Sequence, residues 1–169
     1  MSSDAKDRAG PPISTLVGPQ NTIAIAADHG GYDLKQTLIP EIEAMGLAAL
    51  DLGCHGPESV DYPDFAREMA TVLKDGRARR GVLICGTGIG ISMAANRHEH
   101  VRAALCWNGT AARLARQHND ANVLVLGGRM VGDELARDCL RIFLSTAFEG
   151  GRHLRRVAKF STNVETEGA

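Results

Sequence analysis

No apolar run in this chain approaches the roughly 18 residues that a membrane-spanning helix requires. Nor is there a surplus of charge: 19 Lys and Arg stand against 20 Asp and Glu, a formal net charge of −1. Without a basic field, neither nucleic acid nor an anionic membrane is the partner to expect. The four cysteines, Cys54, Cys85, Cys106 and Cys139, form no Cys-x-x-Cys pair, and Cys54-His55 matches no common zinc-ligand spacing. An apolar signal-peptide core and an Arg-rich amphipathic leader are lacking too, so free thiols in a reducing cytoplasm are expected. Residues 1–20, with three prolines among Ser, Asp and Gly, read as a disordered leader, and residues 163–169 as a flexible tail. The remainder, residues 21–162, reads as one domain, in a chain that is 44% hydrophobic and 23% charged.

From residue 22 onward, short β-rich apolar runs alternate with helical periods. The pattern predicts strands at 22–27, 48–52, 82–85, 103–107 and 123–126. It predicts helices at 32–45, 64–74, 89–96, 110–117, 133–148 and 152–160, with Pro40 kinking the first or opening a new turn in it. Five strands that are apolar nearly throughout, each followed by a helix, imply a parallel sheet covered on both faces. Ligands of such sheets lie beyond the carboxyl ends of the strands. Gathered at those ends are Asp28 and His29, residues 85–90, Trp107 and Asn108, and residues 127–129.

The segment RGVLICGTGIGISM, residues 80–93, carries the most chemistry. A β-branched run stops at Cys85, and Gly86, Thr87, Gly88, Ile89 and Gly90 lead into a helix start. Bare backbone N–H groups in such a turn can face an anion, and helix N-termini favour thiolates. A dinucleotide fingerprint fails, because the spacing is G-x-G-x-G and the loop follows the third strand. The Gly-Lys-Ser/Thr ending of a phosphate-binding nucleotide loop is absent, as is the arginine of a cysteine phosphatase loop, whose place Ile91 takes. An anion cradle beside a thiol survives, suited to an oxyanion or enediolate, alongside a plain glycine turn with a structural cysteine.

Asp28 either caps a helix or binds ligand, and His29 can meet an anion at the same turn. His118, in RQHND, sits where a helix ends, which suits either a dipole-stabilised cap or a proton carrier near neutral pH. Arg152 and Arg156 are four residues apart in a basic run that most simply forms a solvated face. Arg152 stands in a first helical turn, where a cation opposes the macrodipole, and this favours an anionic partner for the pair.

Taken together, AADHGGYDLK, DYPDFA, GVLICGTGIGISMAANR, RQHNDANVLVLGGRMVG and FEGGRHLRRV resemble the ribose-5-phosphate isomerase B family. That family belongs to a larger group that includes galactose-6-phosphate isomerase subunits. The resemblance spans nearly everything after residue 21. It implies a Rossmann-like three-layer α/β/α sandwich with a five-stranded parallel sheet and a C-terminal helix. It further implies a homodimer, or a tetramer of two such dimers, with active sites at the subunit interface and no metal or organic cofactor. The implied substrate is a phosphorylated sugar, D-ribose 5-phosphate in exchange with D-ribulose 5-phosphate.

By the same resemblance Cys85 is the base that moves a proton between C1 and C2, and Gly86, Thr87, Gly88, Ile89 and Gly90 hold the enediolate oxygens. His118 would open the sugar ring, with Asn119 and Asp28 on sugar hydroxyls and His29, Arg152 and Arg156 on the phosphate. Arg129 would contact ligand, in its own site or a neighbour's. The sequence departs from the family's usual aromatic or serine-rich segment after the fourth strand, carrying Trp107 and Thr110 there instead. Competing readings are an isomerase of another phosphorylated aldose, such as allose 6-phosphate or a tetrose, a dinucleotide oxidoreductase, and a non-catalytic phosphometabolite-binding module.

Overall fold

The computed structural model describes residues 18–160. The predicted tail and most of the predicted leader, residues 1–17, lie outside the described residues. Five strands alternate with six helices: β1 (Thr22–Ala27), α1 (Tyr32–Ala44), β2 (Ala48–Asp51), α2 (Tyr62–Lys74), β3 (Arg80–Cys85), α3 (Ile89–Ala95), β4 (Ala103–Leu105), α4 (Gly109–Asn119), β5 (Val123–Gly127), α5 (Asp133–Ser145) and α6 (Arg152–Val157). All pairings are parallel, in the order β2-β1-β3-β5-β4. Among the described residues no helix is long and apolar enough to cross a membrane.

Alternation along the strands makes the three layers. Ile23, Ile25, Val82, Ile84, Leu124 and Leu126 point to one face, where α1, α4 and α5 supply Leu38, Ala112, Leu140 and Phe143. Ala24, Ala26, Leu83, Cys85, Val123 and Val125 point to the other, against Met69 and Val72 of α2 and Ile91 and Ala95 of α3. Each fully buried Val, Leu, Ile, Met or Phe among them contributes about 1.5–3 kcal/mol of transfer free energy.

Local chemistry shifted several predicted boundaries. Helix α1 continues through Pro40 to Ala44 without opening a new turn there. Leu34, Leu38 and Ile42, four residues apart, are buried on one face, and their combined burial exceeds the ~3 kcal/mol that an internal proline costs. Asp61 precedes α2 in extended conformation and Pro63 occupies its first turn, so the helix starts two residues earlier than predicted. The Asn108 side chain accepts from the Ala111 N–H at 2.8 Å, capping α4, which runs on to Asn119. Helix α5 stops at Ser145 rather than 148, because arginines capture its last carbonyls. Arg80 Nη1 donates to the Leu144 carbonyl at 2.5 Å, and Arg116 Nε donates to that of Thr146 at 3.3 Å.

Candidate active site

Register fixes one half of the site. Cys85 of β3 pairs with Gly127 of β5, and β1 ends beside them, since the Asp28 N–H donates to the Ile84 carbonyl at 3.1 Å. The Gly128 N–H then donates to the Cys85 carbonyl at 2.8 Å and the Arg129 N–H to that of Gly86 at 2.9 Å, tying three loops into one rim. Contact is too close for side chains at two points. A Cβ on Gly30 would lie 3.0 Å from the Gly86 backbone, and one on Gly128 would lie 2.5 Å from the Gly30 carbonyl oxygen.

Within this rim the Cys85 thiol is buried, and its Sγ accepts the Gly88 N–H at 3.1 Å. Gly88 has φ 77°, the left-handed turn that lets the chain enter α3 directly from the strand. The N–H groups of Gly90 and Ile91, in the first turn of α3, have no acceptor among the described residues. Thr87 and Ile89 are exposed, and the Thr87 hydroxyl accepts the Ile89 N–H at 3.2 Å. The Arg129 side chain runs past Gly86, its guanidinium carbon 3.6 Å from where a Cβ would stand. The Tyr62 ring covers Gly90 so closely that a Cβ there would lie 2.6 Å from Cζ.

Asp28 does not cap α1, whose N-cap is Gly31 with no side-chain cap. Its buried carboxylate instead closes the turn ahead of the helix, Oδ1 accepting from Gly30 N–H at 2.8 Å and Gly31 N–H at 3.1 Å. His29 Nδ1 accepts the Val60 N–H at 3.3 Å, which leaves Nε2 as the protonated nitrogen of the neutral ring, facing away from that bond. Burial pushes the Cys106 thiol up to about 12 and raises that of Cys139. Neither thiol can supply a base near neutral pH.

The other predicted residues are elsewhere. Helix α4 runs back from the carboxyl end of β4 to the amino end of β5, so His118 and Asn119 sit at the opposite edge of the sheet. Asn122, just beyond, takes its side-chain bond from Arg102 ahead of β4, and its carbonyl accepts from Gly81 at the start of β3. Gly81 and Cys85 are four residues apart, ~13 Å at a strand rise of ~3.3 Å per residue. His118 and Cys85 of one chain therefore lie at opposite edges of the sheet.

Helix α6 belongs with His118. The Glu149 N–H donates to the Gln117 carbonyl at 3.1 Å, and the His153 ring stacks on His118 with centroids 4.4 Å apart and planes 9° from parallel. Glu149 Oε2 lies 4.0 Å from His118 Nε2 and 3.8 Å from His153 Nε2. Arg152 and Arg156 are exposed on the same short helix. Sequence reasoning missed Glu149 and His153 as members of this group, although their i, i+4 spacing across Gly150-Gly151 was a usable signal. It also gave no site role to Val60, or to Tyr62 of the DYPDFA segment, whose contacts come from distant loops.

His118, Glu149 and His153 offer ligand atoms within 4.8 Å of one another, the one such trio of metal-ligating type among the described residues. Nearly parallel rings, however, point their in-plane lone pairs side by side rather than at one ion. The trio fits a metal poorly. Burial, then the charges of His118, Arg152 and Arg156, lower the His153 pKa from its ordinary value, with Glu149 opposing. The unfolded chain therefore binds this proton more readily than the folded one. Stability should be fully present above the ordinary histidine value of about 6.5 and decline as pH falls below it. Thermal midpoints measured from pH 7.5 to 5 should fall more steeply in the wild type than in His153→Gln; equal slopes would remove His153 as the cause.

A profile of the ribose/galactose isomerase family matches residues 23–160. Ribose-5-phosphate isomerase B of Escherichia coli K12 is 43% identical over 135 residues, covering 80% of this chain and 91% of that protein. The D-erythrulose-4-phosphate isomerase of Pectobacterium atrosepticum is 41% identical over 140 residues, covering 82% and 91%. The crystal structure of a ribose 5-phosphate isomerase from Thermotoga maritima superposes with a TM-score of 0.81 at 48% identity, covering 83% of this chain and 97% of that one. With the five-stranded sheet and the glycine rim around Cys85, these likenesses place the chain in the ribose/galactose isomerase family.

Proposed function

We propose that this protein interconverts D-ribose 5-phosphate and D-ribulose 5-phosphate through an enediolate, without a cofactor. The observation that carries the reading is the Cys85 thiol, which lies beneath backbone N–H groups at a rim shared with Asp28, His29 and Arg129. Aldose–ketose isomerisation needs a base that takes a proton from one carbon and returns it to the next. It also needs donors for the oxygens that gain charge between those events. Cys85 is the base. Gly86, Thr87, Gly88, Ile89 and Gly90 supply the cradle, in which the first-turn N–H groups of α3 await an acceptor. Asp28 keeps its second carboxylate oxygen for a sugar hydroxyl, and His29 offers Nε2–H to the phosphate.

The reading also supplies a reason for two copies. His118, Asn119, Arg152 and Arg156 lie at the amino edge, so they serve the Cys85 of a second chain in an isologous dimer. His118 then opens the furanose ring, Asn119 holds a hydroxyl, and the two arginines grip the phosphate far from the reacting carbons. Exposed Ile89, Met93, Trp107 and Met130 flank the carboxyl-edge loops and Leu154 and Phe160 lie on or just beyond α6, apolar surface that such a dimer covers. Arg152→Ala and Arg156→Ala should each raise KM roughly tenfold to a hundredfold with kcat less affected. Unchanged KM in both variants would put the phosphate elsewhere.

The direct test is turnover of D-ribose 5-phosphate in the presence of a chelator, with allose 6-phosphate and erythrulose 4-phosphate in parallel. Pentose turnover establishes the reaction. A four-carbon substrate is the second reading, favoured by the Pectobacterium relative and by Trp107, which is 63% exposed beside the rim and able to shorten the pocket. Binding of all three without turnover of any would leave a non-catalytic phosphometabolite module.

A further inference from the structure

On the side of α4 away from His118, at the amino edge of the sheet, lies a cleft of about 710 Å³. Lys74, Arg79, Arg80, Arg102 and Arg116 line it together with His100, and Asp120 is the one carboxylate in its wall. Arg116 faces the cleft, and His118, two residues on, is turned roughly 200° round the helix. The cleft is thus distinct from both halves of the isomerase site.

The charges in this wall do not cancel. Asp120 is already divided, Oδ2 accepting from Arg102 Nη2 at 2.9 Å and Oδ1 from Arg116 Nη1 at 2.9 Å. Lys74, Arg79 and Arg80 form no ion pair among the described residues. Arg80 is held by a neutral carbonyl, and burial followed by the charge of Arg116 lowers its pKa from the ordinary arginine value. A chain with a net charge of −1 has no general excess of cations to spread over its surface, so this gathering is local. Like charges crowded into a concave wall repel one another and focus a positive potential on the space between them.

We propose that this cleft is a second anion site that takes a small organic polyphosphate, a molecule with two or more linked phosphates. One phosphate satisfies one or two guanidinium forks, whereas the cations here are spread over the ends of α2 and α4 and the starts of β3 and β4. The volume falls in the range of metabolite pockets, about 300–1,000 Å³, and is larger than a single phosphate needs. A walled cleft of this size, in a protein without a basic field, suits a metabolite and not a nucleic-acid backbone.

The test is calorimetric titration of the full chain with inorganic pyrophosphate, tripolyphosphate and orthophosphate at about 0.15 M salt, where weak surface pairing is screened. Lys74 and Arg79 are exposed and lie outside the isomerase machinery, so Lys74→Gln/Arg79→Gln should fold with an unchanged thermal midpoint in the absence of anion. One saturable site per chain is expected, with tripolyphosphate at least tenfold tighter than orthophosphate. Affinity should drop tenfold or more in the double variant and hold in Arg152→Ala/Arg156→Ala. Absence of saturable binding, equal affinity for the three anions, indifference to the double variant, or loss that follows Arg152 and Arg156 instead would each overturn the proposal. Because no arm depends on turnover of a sugar phosphate, failure here is separable from failure of the isomerase reading.

Discussion

Cys85→Ala should lower kcat for D-ribose 5-phosphate on the order of 10³- to 10⁴-fold while leaving substrate affinity nearly intact. On the proposed mechanism the substitution removes the single group that takes the carbon-bound proton, and general-base contributions of 10²–10⁴ are the rule. The glycine cradle and the phosphate ligands remain, so binding survives, and the loss should fall on kcat. Stability should change little, since the thiol makes one hydrogen bond, from Gly88, worth about 1 kcal/mol. Exchange of the substrate's C2 proton with solvent, followed by NMR, reads the step directly. Exchange at more than a few per cent of the wild-type rate would remove Cys85 as the base.

Mixing two nearly inactive variants should restore activity. His118→Asn is expected to lose about 10²-fold on the cyclic substrate, because ring opening is no longer catalysed. In Cys85→Ala the other half-site is damaged. Random pairing of the two chains makes half of the dimers hybrid. One of the two sites in each hybrid then has both Cys85 and His118, giving about a quarter of wild-type activity. Co-expression followed by a turnover assay tests this. A mixture no better than its components would mean that each site is completed within one chain, against the ~13 Å that the strands put between the two edges.

Much of the carboxyl-edge half was legible in the chain. Alternating apolar strands, the Asp28-His29 step and the three glycines after Cys85 are local patterns, and a parallel sheet has only one edge at which they can converge. The neighbours that complete that half were not legible. Val60 reaches His29 and Tyr62 covers Gly90, contacts that the helical period of α2 and the loop ahead of it do not announce. The stack of His118 on His153 depends on α6 folding back onto α4, a contact across 35 residues that periodicity does not encode. Element ends were misjudged where distant side chains set them, as at α5, whose last carbonyls belong to Arg80 and Arg116.

The sequence by itself determined the layers, the strand edge and the thiol loop, because pleat and helical period are set by each residue's nearest neighbours along the chain. Tertiary structure alone decided that the proposed residues fall into two groups at opposite ends of the sheet, and that five uncompensated or shared cations enclose a cleft behind α4. The first follows from the return of α4 across the sheet that the parallel pairing of β4 with β5 requires, and the second from the packing of α4 against Phe143 and its neighbours, which sets Arg116 beside the end of α2 and the starts of β3 and β4.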